Sequence, residues 1–479
     1  MTPPSTVRAP HAPLPVDDAL PALREALAAR GVAVLQAPPG AGKTTRVPLL
    51  LRDEPWLRGA RIVMLEPRRL AARAAAAFMA RTLGERVGET VGHRVRGDTR
   101  VGPRTRVEVV TEGVLTRMLQ HDPTLDGVGL VIFDEFHERS LHADLGLALA
   151  LQSRELLRDD LRVLVMSATL DGAAVAALLG DAAHGAAPLV SSEGRAFPVE
   201  TRWRPPRAEQ RVEGAVAAVV QEALQQTTGD VLAFLPGAAE IRRTAAALGA
   251  RALGAGVRVF PLHGTMPADE QDAAIAASPP GRRKVVLATS IAETSLTIDG
   301  VTVVVDGGLS RVPRFSARTG MTRLETVRVS RASADQRRGR AGRTAPGVCY
   351  RLWEEHAEHG LVAQSAPEVL EADLAPLALE LAQAGVRDAG ALRWLDVPPP
   401  AALAQARELL RELGALDAEG RITAHGTRMN ALAVHPRVAH LLLEGERLGH
   451  AALACDLAAL LGERDVLRAD GPVPVADAD

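Results

Sequence analysis

A glycine-containing loop directly after an apolar run is the strongest chemical signal in the sequence. The loop covers residues 37–45 and follows the apolar residues 32–35. Backbone N–H groups of such a loop can wrap phosphates, while Lys43 neutralises their charge and the Thr44 hydroxyl ligates Mg²⁺. Ala37 stands where a leading glycine is usual. We therefore predict a nucleoside triphosphate site formed by Pro39, Gly40, Ala41, Gly42, Lys43, Thr44 and Thr45. Alone, this loop leaves kinases, GTPases, transporters and helicases open.

Two adjacent carboxylates follow a second apolar run, residues 130–133. Open α/β sheets bind ligands at the carboxyl ends of their strands, so Asp134 and Glu135 are expected beside the phosphates. Asp134 and Glu135 would complete the Mg²⁺ shell with Thr44, and Glu135 would also orient and deprotonate the attacking water. His137 would link this site to a neighbouring domain. In isolation, a solvated turn would be the better interpretation of these carboxylates.

A third candidate group contains Gln336, Arg340 and Arg343, spaced four and three residues apart. This spacing predicts one face of a helix, with three donors pointing the same way. Guanidinium groups aimed at a γ-phosphate stabilise the charge that develops during transfer. The alternative is a solvated basic helix, but Gly339 and Gly342 favour a close approach by a backbone or a ligand.

Two segments of the chain alternate short β-branched runs with alanine- and leucine-rich helical stretches. That pattern predicts two α/β units with parallel sheets covered by helices on both faces. The predicted strands are residues 32–36, 61–65, 106–110, 130–134 and 162–166 in the first unit, and 231–235, 257–260, 284–288 and 302–305 in the second, followed by a hairpin at 309–329. After Trp353 helical periodicity dominates, so a winged-helix or helical unit is expected.

Composition narrows the classes of protein. A chain of 479 residues is too long for one core, and its apolar runs are too short for a membrane span. The first residues lack the apolar core of a secretory signal, so we expect a cytoplasmic protein. Two cysteines without a nearby partner predict neither disulfides nor zinc. The net charge of −2 means that any nucleic-acid track must be local.

Short motifs along the chain, taken in order, resemble those of the DEAH-box family of superfamily 2 helicases. Residues 134–137 resemble the box itself, and the variant is most similar to a bacterial branch of that family. The other matches are residues 65–73 for motif Ia, 111–117 for Ib, 167–169 for III, 234–241 for IV, 288–300 for V and 336–343 for VI.

The resemblance implies two tandem RecA-like domains that bind ATP and Mg²⁺ and grip a single strand of RNA or DNA. No membrane association or obligate protein partner is expected. Catalysis falls to Lys43, Glu135, Gln336, Arg340 and Arg343, with Asp299 as a further nucleotide contact. The implied coupling residues are His137, Ser167, Ala168 and Thr169, and the implied nucleic-acid contacts are Arg68, Arg69, Thr111, Gly113, Gly237, Thr289 and Thr294. With 3% aromatic residues, sequence-independent backbone binding is preferred to base stacking.

Two features qualify the resemblance. Family members often clamp the base between an arginine and an aromatic residue, and here Phe78 and Ala276 stand near those positions. Use of other nucleoside triphosphates is therefore expected. The hairpin at 309–329 corresponds to a strand-separating element in the family, although a solvated surface ribbon is an equal alternative.

We therefore expect an ATP-dependent RNA helicase or translocase. The alternatives are a DNA-directed helicase, an ATPase that remodels protein–RNA complexes, and an ATP-gated RNA-binding module without processive unwinding. The expected organisation is a disordered leader over residues 1–14, RecA-like domains over 15–195 and 196–358, a winged helix over 359–430, and the start of a helical bundle with a disordered tail over 431–479.

Overall fold

Alternating apolar strands and amphipathic helices build two separate parallel sheets along the first three quarters of the chain. The computed structural model describes residues 14–168, 172–194, 197–251, 253–254, 256–294, 298–316 and 320–462. The predicted disordered leader and tail therefore lie almost entirely outside the described residues. No helix within these ranges is both long and apolar enough to cross a membrane.

Within the described residues, the first sheet has eight strands in the order β4-β3-β5-β2-β6-β7-β1-β8, and only β4 runs antiparallel to its neighbour. The β1 strand therefore lies two positions from β6, with β7 between them. The elements of this half are α1 Val16–Arg30, β1 Val32–Gln36, α2 Lys43–Leu51, β2 Arg61–Glu66, α3 Arg69–Leu83, β3 Val91–Val95, β4 Asp98–Arg100, β5 Val107–Thr111, α4 Glu112–His121, β6 Val128–Phe133, α5 Leu141–Leu156, β7 Arg162–Ser167, α6 Gly172–Leu179 and β8 Leu189–Ser191.

The second sheet has six parallel strands in the order β11-β12-β10-β13-β16-β9. The predicted hairpin is present as the antiparallel pair β14 and β15. The elements are β9 Val199–Trp203, α7 Val212–Gln226, β10 Asp230–Phe234, α8 Ala238–Gly249, β11 Val257–Leu262, α9 Ala268–Ile275, β12 Arg283–Ala288, β13 Val301–Asp306, β14 Leu309–Ser316, β15 Met321–Arg328, α10 Arg331–Gly339, β16 Gly347–Arg351 and α11 Glu368–Glu371.

Both sheets belong to one compact unit, residues up to 372 with 393–396. Leu70 and Ala74 of α3 pack into an apolar cluster of the second half that includes Ile275 and Ile298. This contact buries apolar surface between the two halves, and such burial contributes about 25 cal/mol per Å². The halves are therefore held together by packing as well as by polar contacts.

The second unit comprises residues 373–392 and 397 onward, and its described part is helical. An antiparallel bridge joins Leu416 and Ile422, and His435 bonds Asp373 at 2.9 Å. The predicted winged helix over 359–430 stays a prediction. The helices of this unit are α12 Ala375–Gln383, α13 Pro400–Glu412, α14 Ala424–Ala431, α15 Pro436–Arg447 and α16 Ala451–Gly462.

Candidate nucleotide and nucleic-acid sites

The loop between β1 and α2 has the backbone conformation that its glycines allow. Gly40 and Gly42 have φ angles of 87° and 97°, in the left-handed region that favours glycine. A Cβ atom on Gly42 would lie 2.7 Å from Cδ1 of Leu14. The α2 helix then begins at Lys43. The loop and helix start thus present backbone N–H groups and a positive helix end to one place.

Lys43 and the carboxylates after β6 meet at the carboxyl edge of the first sheet. Nζ of Lys43 lies 3.0 Å from Oε1 of Glu135, and both side chains are buried. Burial works to raise the pKa of Glu135, but the Lys43 charge and the neighbouring His137 outweigh it and lower this pKa to about 2. Glu135 itself has φ 49°, an uncommon conformation for a residue other than glycine. The local backbone is therefore constrained where the carboxylate turns toward Lys43.

Asp134 lies deeper in the same site. Burial and the Glu135 charge raise its pKa to about 6, and the Thr44 hydroxyl bonds its side chain. Its Oδ2 atom is buried without a hydrogen-bond partner among the described residues. The sequence reasoning overlooked Glu66, the fully buried last residue of β2, whose pKa is raised well above its usual range by burial and by Asp134. The sequence feature that could have identified Glu66 is its position as an acidic residue at the end of an otherwise apolar strand.

His137 connects the carboxylates to the end of β7. Its Nδ1 atom accepts a hydrogen bond of 3.4 Å from the backbone N–H of Ala168 and lies 3.4 Å from Oε2 of Glu135. Burial lowers the pKa of His137, which favours the neutral ring. The buried Ser167 precedes Ala168, and its carbonyl oxygen accepts from the N–H of Ala37. The structure thus brings three of the predicted coupling residues together, and the fourth, Thr169, lies outside the described residues.

Arg340 and Arg343 reach this site from the second half of the unit. A Cβ atom on Gly40 would lie 3.9 Å from Cγ of Arg343. Both guanidinium groups interact electrostatically with Glu135. Burial lowers the pKa of Arg343 to about 10, and burial together with the Arg343 charge lowers the pKa of Arg340 well below its usual range. The nucleotide site therefore holds closely spaced positive charges, and a bound anion would stabilise this arrangement.

Contrary to the prediction from their spacing, Gln336, Arg340 and Arg343 do not lie on one continuous α-helix. The α10 helix ends at Gly339, and Arg340 begins a short 3-10 turn. Gly342 does allow a close backbone approach, because a Cβ there would lie 2.6 Å from the carbonyl oxygen of Phe197. Gly339 faces no described atom within 4 Å. The close approach that was expected at both glycines is therefore found, within the described part of the chain, at Gly342 and not at Gly339.

The two other arginines of this segment have different surroundings. The fully buried guanidinium of Arg337 lies 2.8 Å from Oδ1 of Asp306 and 2.7 Å from Oε1 of Glu293 through Nε. Arg338 donates to the Thr201 hydroxyl and to the Val199 carbonyl of β9. Arg337 and Arg338 thus hold the second half together, whereas Arg340 and Arg343 face the first.

Arg68, predicted to grip a phosphate, lies between the two halves. Its Nη1 donates to the carbonyl of Ser290 at 2.5 Å, and its Nη2 lies 3.2 Å from Oε2 of Glu138. The hydroxyl of Thr294, also predicted to bind nucleic acid, donates to Oε1 of Glu138. Sequence reasoning did not assign a role to Glu138. Protein groups therefore occupy both predicted phosphate contacts here.

A polar cleft of about 690 Å³ collects several of the other predicted nucleic-acid residues. Arg68, Arg69 and Thr289 line it, together with Arg73 and Arg96, whose presence here was not predicted. Arg96 follows β3, where a short arginine-containing turn was the available signal. The remaining predicted residues lie outside this cleft, at the start of α4 for Thr111 and Gly113 and before α8 for Gly237.

Three residues considered for the nucleoside end of the ligand surround the contact between the halves. Phe78 is 47% exposed. It follows Leu70 by eight residues and Ala74 by four, so it lies on the same face of α3 as these two residues. Ala276 directly follows α9, and its carbonyl accepts from Nζ of Lys284. Asp299 is exposed and follows Ile298, which packs in the same apolar cluster as Leu70.

Comparisons with known proteins agree with this architecture. Residues 18–178 match the DEAD/DEAH box helicase domain, and residues 214–345 match the helicase conserved C-terminal domain. The chain is 51% identical over 450 residues to the ATP-dependent RNA helicase HrpB of Escherichia coli (strain K12), covering 94% of this chain and 55% of that protein.

Two crystal structures of Escherichia coli HrpB are also similar. One, described as a DEAH/RHA helicase, has a TM-score of 0.88 at 50% identity and covers 95% of this chain and 57% of the other. The second, described as a DExH-box NTPase, has a TM-score of 0.82 at 49% identity, covering 96% and 56%. The present chain thus spans little more than half the length of these relatives. The two halves of the first unit are RecA-like helicase domains: residues 18–178 belong to the DEAD/DEAH box helicase domain family and residues 214–345 to the helicase conserved C-terminal domain family.

Proposed function

We propose that this protein is an ATP-dependent RNA helicase or translocase that couples ATP hydrolysis to movement along single-stranded nucleic acid. One observation carries the proposal. Lys43 and Glu135 of the first half meet Arg340 and Arg343 of the second at a single buried site. Charged groups from both halves at one site link hydrolysis to closure of the cleft. The chain spans only 55% of the length of its curated relative, so the activity of that relative cannot simply be transferred. The proposal is therefore based on the residues present in this chain.

Residues 39–45 would hold the triphosphate, with backbone N–H groups on the β-phosphate and Lys43 on the outer oxygens. Mg²⁺ would be held by Thr44, Asp134 and Glu135 and would neutralise charge on the phosphates. The buried Oδ2 of Asp134, which lacks a hydrogen-bond partner among the described residues, supports a cation here. Mg²⁺ is commonly held by one or two carboxylates together with substrate phosphates, which fits this donor set.

Glu135 would serve as the general base for the attacking water. Its lowered pKa keeps it ionised at neutral pH, but the Lys43 charge that lowers the pKa also weakens the carboxylate as a base. In the arrangement seen here Lys43 holds that carboxylate. Phosphate oxygens would compete for Lys43 and release Glu135 toward water. Gln336 would help to orient this water, while Arg340 and Arg343 stabilise charge on the transferred phosphoryl group.

The nucleoside end would be held loosely. Phe78 is exposed, and the guanidinium carbon of Arg81 lies 5.5 Å from the centroid of its ring; Asp299 is exposed as well. No base-reading hydrogen bond is expected from a phenyl ring, because it carries no donor or acceptor. We therefore propose that GTP, CTP and UTP also support turnover.

The arginine-lined cleft would carry the nucleic-acid backbone. Arg69, Arg73 and Arg96 offer guanidinium groups, and Thr289 offers a hydroxyl. Such contacts grip phosphates and read little sequence. Arg68 would join this track when a strand phosphate replaces its contact with Glu138, and Thr294 would border the track while its hydroxyl stays bonded to Glu138. Thr111, Gly113 and Gly237 would extend it on the two halves. His137, with Ser167, Ala168 and Thr169, would pass the state of the nucleotide to the second half.

Turnover measured with single-stranded RNA, with single-stranded DNA of the same sequence and without either, across a salt series, tests the proposal. RNA should stimulate hydrolysis. The stimulation should fall steeply as salt rises, because binding of the protein releases cations from the strand phosphates and added salt opposes that release. Equal stimulation by DNA would favour a DNA-directed enzyme. Hydrolysis that neither strand changes at any salt concentration would contradict coupling to nucleic acid.

A further inference from the structure

Glu138 has no role in the chemistry above, although it closes the turn that carries the catalytic carboxylates. It is the last residue of the 3-10 turn Phe136–Glu138, directly after Asp134 and Glu135. Its side chain is 19% exposed and accepts from two groups at once, Nη2 of Arg68 and the hydroxyl of Thr294. Arg68 belongs to the first half and Thr294 to the second.

The carbonyl oxygen of Thr294 links this contact to the arginines of the nucleotide site. It accepts from Nη2 of Arg340 and, at 3.4 Å, from Nη2 of Arg343. The neighbouring carbonyl of Glu293 accepts from Nε of Arg340 at 2.7 Å. One buried residue, Thr294, thus bonds Glu138 through its side chain and both arginines through its backbone.

We propose that Glu138 is a positioning residue for hydrolysis, which fixes Thr294 against the first half and thereby sets Arg340 and Arg343 at the phosphates. This inference rests on the proposed function. A carboxylate that accepts from a guanidinium and a hydroxyl forms charge-assisted bonds, which are stronger and more directional than neutral ones. The arginines can only act when their supporting carbonyl is held in place, because correct orientation is itself a large part of catalysis.

The same carboxylate connects hydrolysis to the arginine-lined cleft. Arg68 lines that cleft and also lines a second polar cavity of about 460 Å³ together with Glu138, Thr294 and Gln336. A strand phosphate that binds Arg68 would remove one of the two donors from Glu138. Binding of nucleic acid would then be transmitted to Thr294 and to the arginines through a single side chain.

A pair of substitutions at Thr294 separates positioning from packing. Thr294→Val removes the hydroxyl at nearly constant volume, whereas Thr294→Ser keeps it. Without nucleic acid, Thr294→Val should lower kcat for ATP about tenfold to a hundredfold, since hydrogen bonds to charged groups contribute on this scale. KM should change little and Thr294→Ser should retain most of the activity. Thr302→Val, which loses a 2.9 Å bond to the Thr228 carbonyl within the second half, is the matched control and should leave kcat unchanged.

A double-mutant cycle then assigns the effect to Glu138. Glu138→Ala should lower kcat to a similar extent, and the double variant Glu138→Ala with Thr294→Val should be no slower than the worse single one, because both remove the same interaction. Glu200→Ala, an exposed ion-pair partner of Arg202, is the control for loss of a carboxylate.

Several outcomes would overturn the inference. Equal loss in Thr294→Val and Thr294→Ser would show that packing matters and the hydroxyl does not. Additive losses in the cycle, or wild-type kcat in Glu138→Ala, would show that the two side chains act separately. A wild-type protein without ATP hydrolysis would instead contradict the proposed function itself, so the two failures are distinguishable.

Discussion

The Lys43 ammonium and the Glu135 carboxylate, 92 positions apart in sequence, form a buried ion pair of 3.0 Å. Removing one partner from such a pair leaves an uncompensated buried charge, so the pair persists until another charged group replaces one side. A triphosphate would bring negative charge to Lys43 and separate the two. The resting pair therefore holds the general base away from water until the substrate arrives.

Glu135→Gln should retain nucleotide binding and lose turnover. The amide still accepts a hydrogen bond from Lys43 but cannot take a proton from water, so we expect kcat to fall by about 10² to 10⁴. Binding of a fluorescent ATP analogue and steady-state hydrolysis measure the two effects separately. Hydrolysis at the wild-type rate would exclude Glu135 as the base.

Motif VI offers a test with an internal control. Arg340→Ala and Arg343→Ala should each reduce kcat by about 10³ to 10⁵, the range known for arginines that stabilise a transferred phosphoryl group. Arg338 lies between them and Gln336, but it donates to Thr201 and Val199 of β9. Arg338→Ala should therefore keep near-normal kcat. Equal losses in all three variants would mean that the segment acts only as a structural element.

Arg337 should prove to be a stability residue. Its removal leaves the buried carboxylates of Glu293 and Asp306 without their shared cation, and breaking a buried pair in this way costs about 3–5 kcal/mol. We expect Arg337→Met to lower the free energy of unfolding by that amount in urea titrations. Arg243→Ala breaks half-exposed pairs with Glu213 and Glu240 and should cost under about 1 kcal/mol. Similar losses in both variants would contradict this difference.

Local patterns were sufficient to predict the strands that position the nucleotide site. The β1, β2, β6 and β7 strands are continuous apolar runs and lie within two residues of their expected positions. The β9 strand was missed because its residues are only partly buried at the sheet edge, and β3 because Gly92 and Arg94 interrupt its apolar pattern.

Contacts between the halves could not be predicted in the same way. Glu138 and Thr294 are 156 positions apart, and their bond joins the first half of the unit to the second. The family resemblance assigned Arg68 and Thr294 to nucleic-acid binding. That assignment rests only on the positions of these residues within their motifs. A partner that arises from docking of two domains leaves no periodic or compositional signal in either segment.

Glu112 should make stability depend on pH in a defined window. This partly buried residue begins α4 and accepts from the Ser140 hydroxyl at 2.5 Å. Burial raises its pKa from 4.5 to about 7, opposed by the Ser140 bond and by His142 and assisted by Glu138 and Glu368. Below pH 4.5 the native and unfolded forms both hold the proton, whereas between 4.5 and about 7 only the native form does. Stability should therefore fall as pH rises through this window, by at most about 1.4 kcal/mol per unit. Glu112→Gln keeps a hydrogen-bonding side chain that does not titrate, so its urea midpoint should exceed that of the wild type increasingly from pH 4.5 to about 7 and then level off. Parallel curves for the two proteins would mean that Glu112 titrates normally in the folded state.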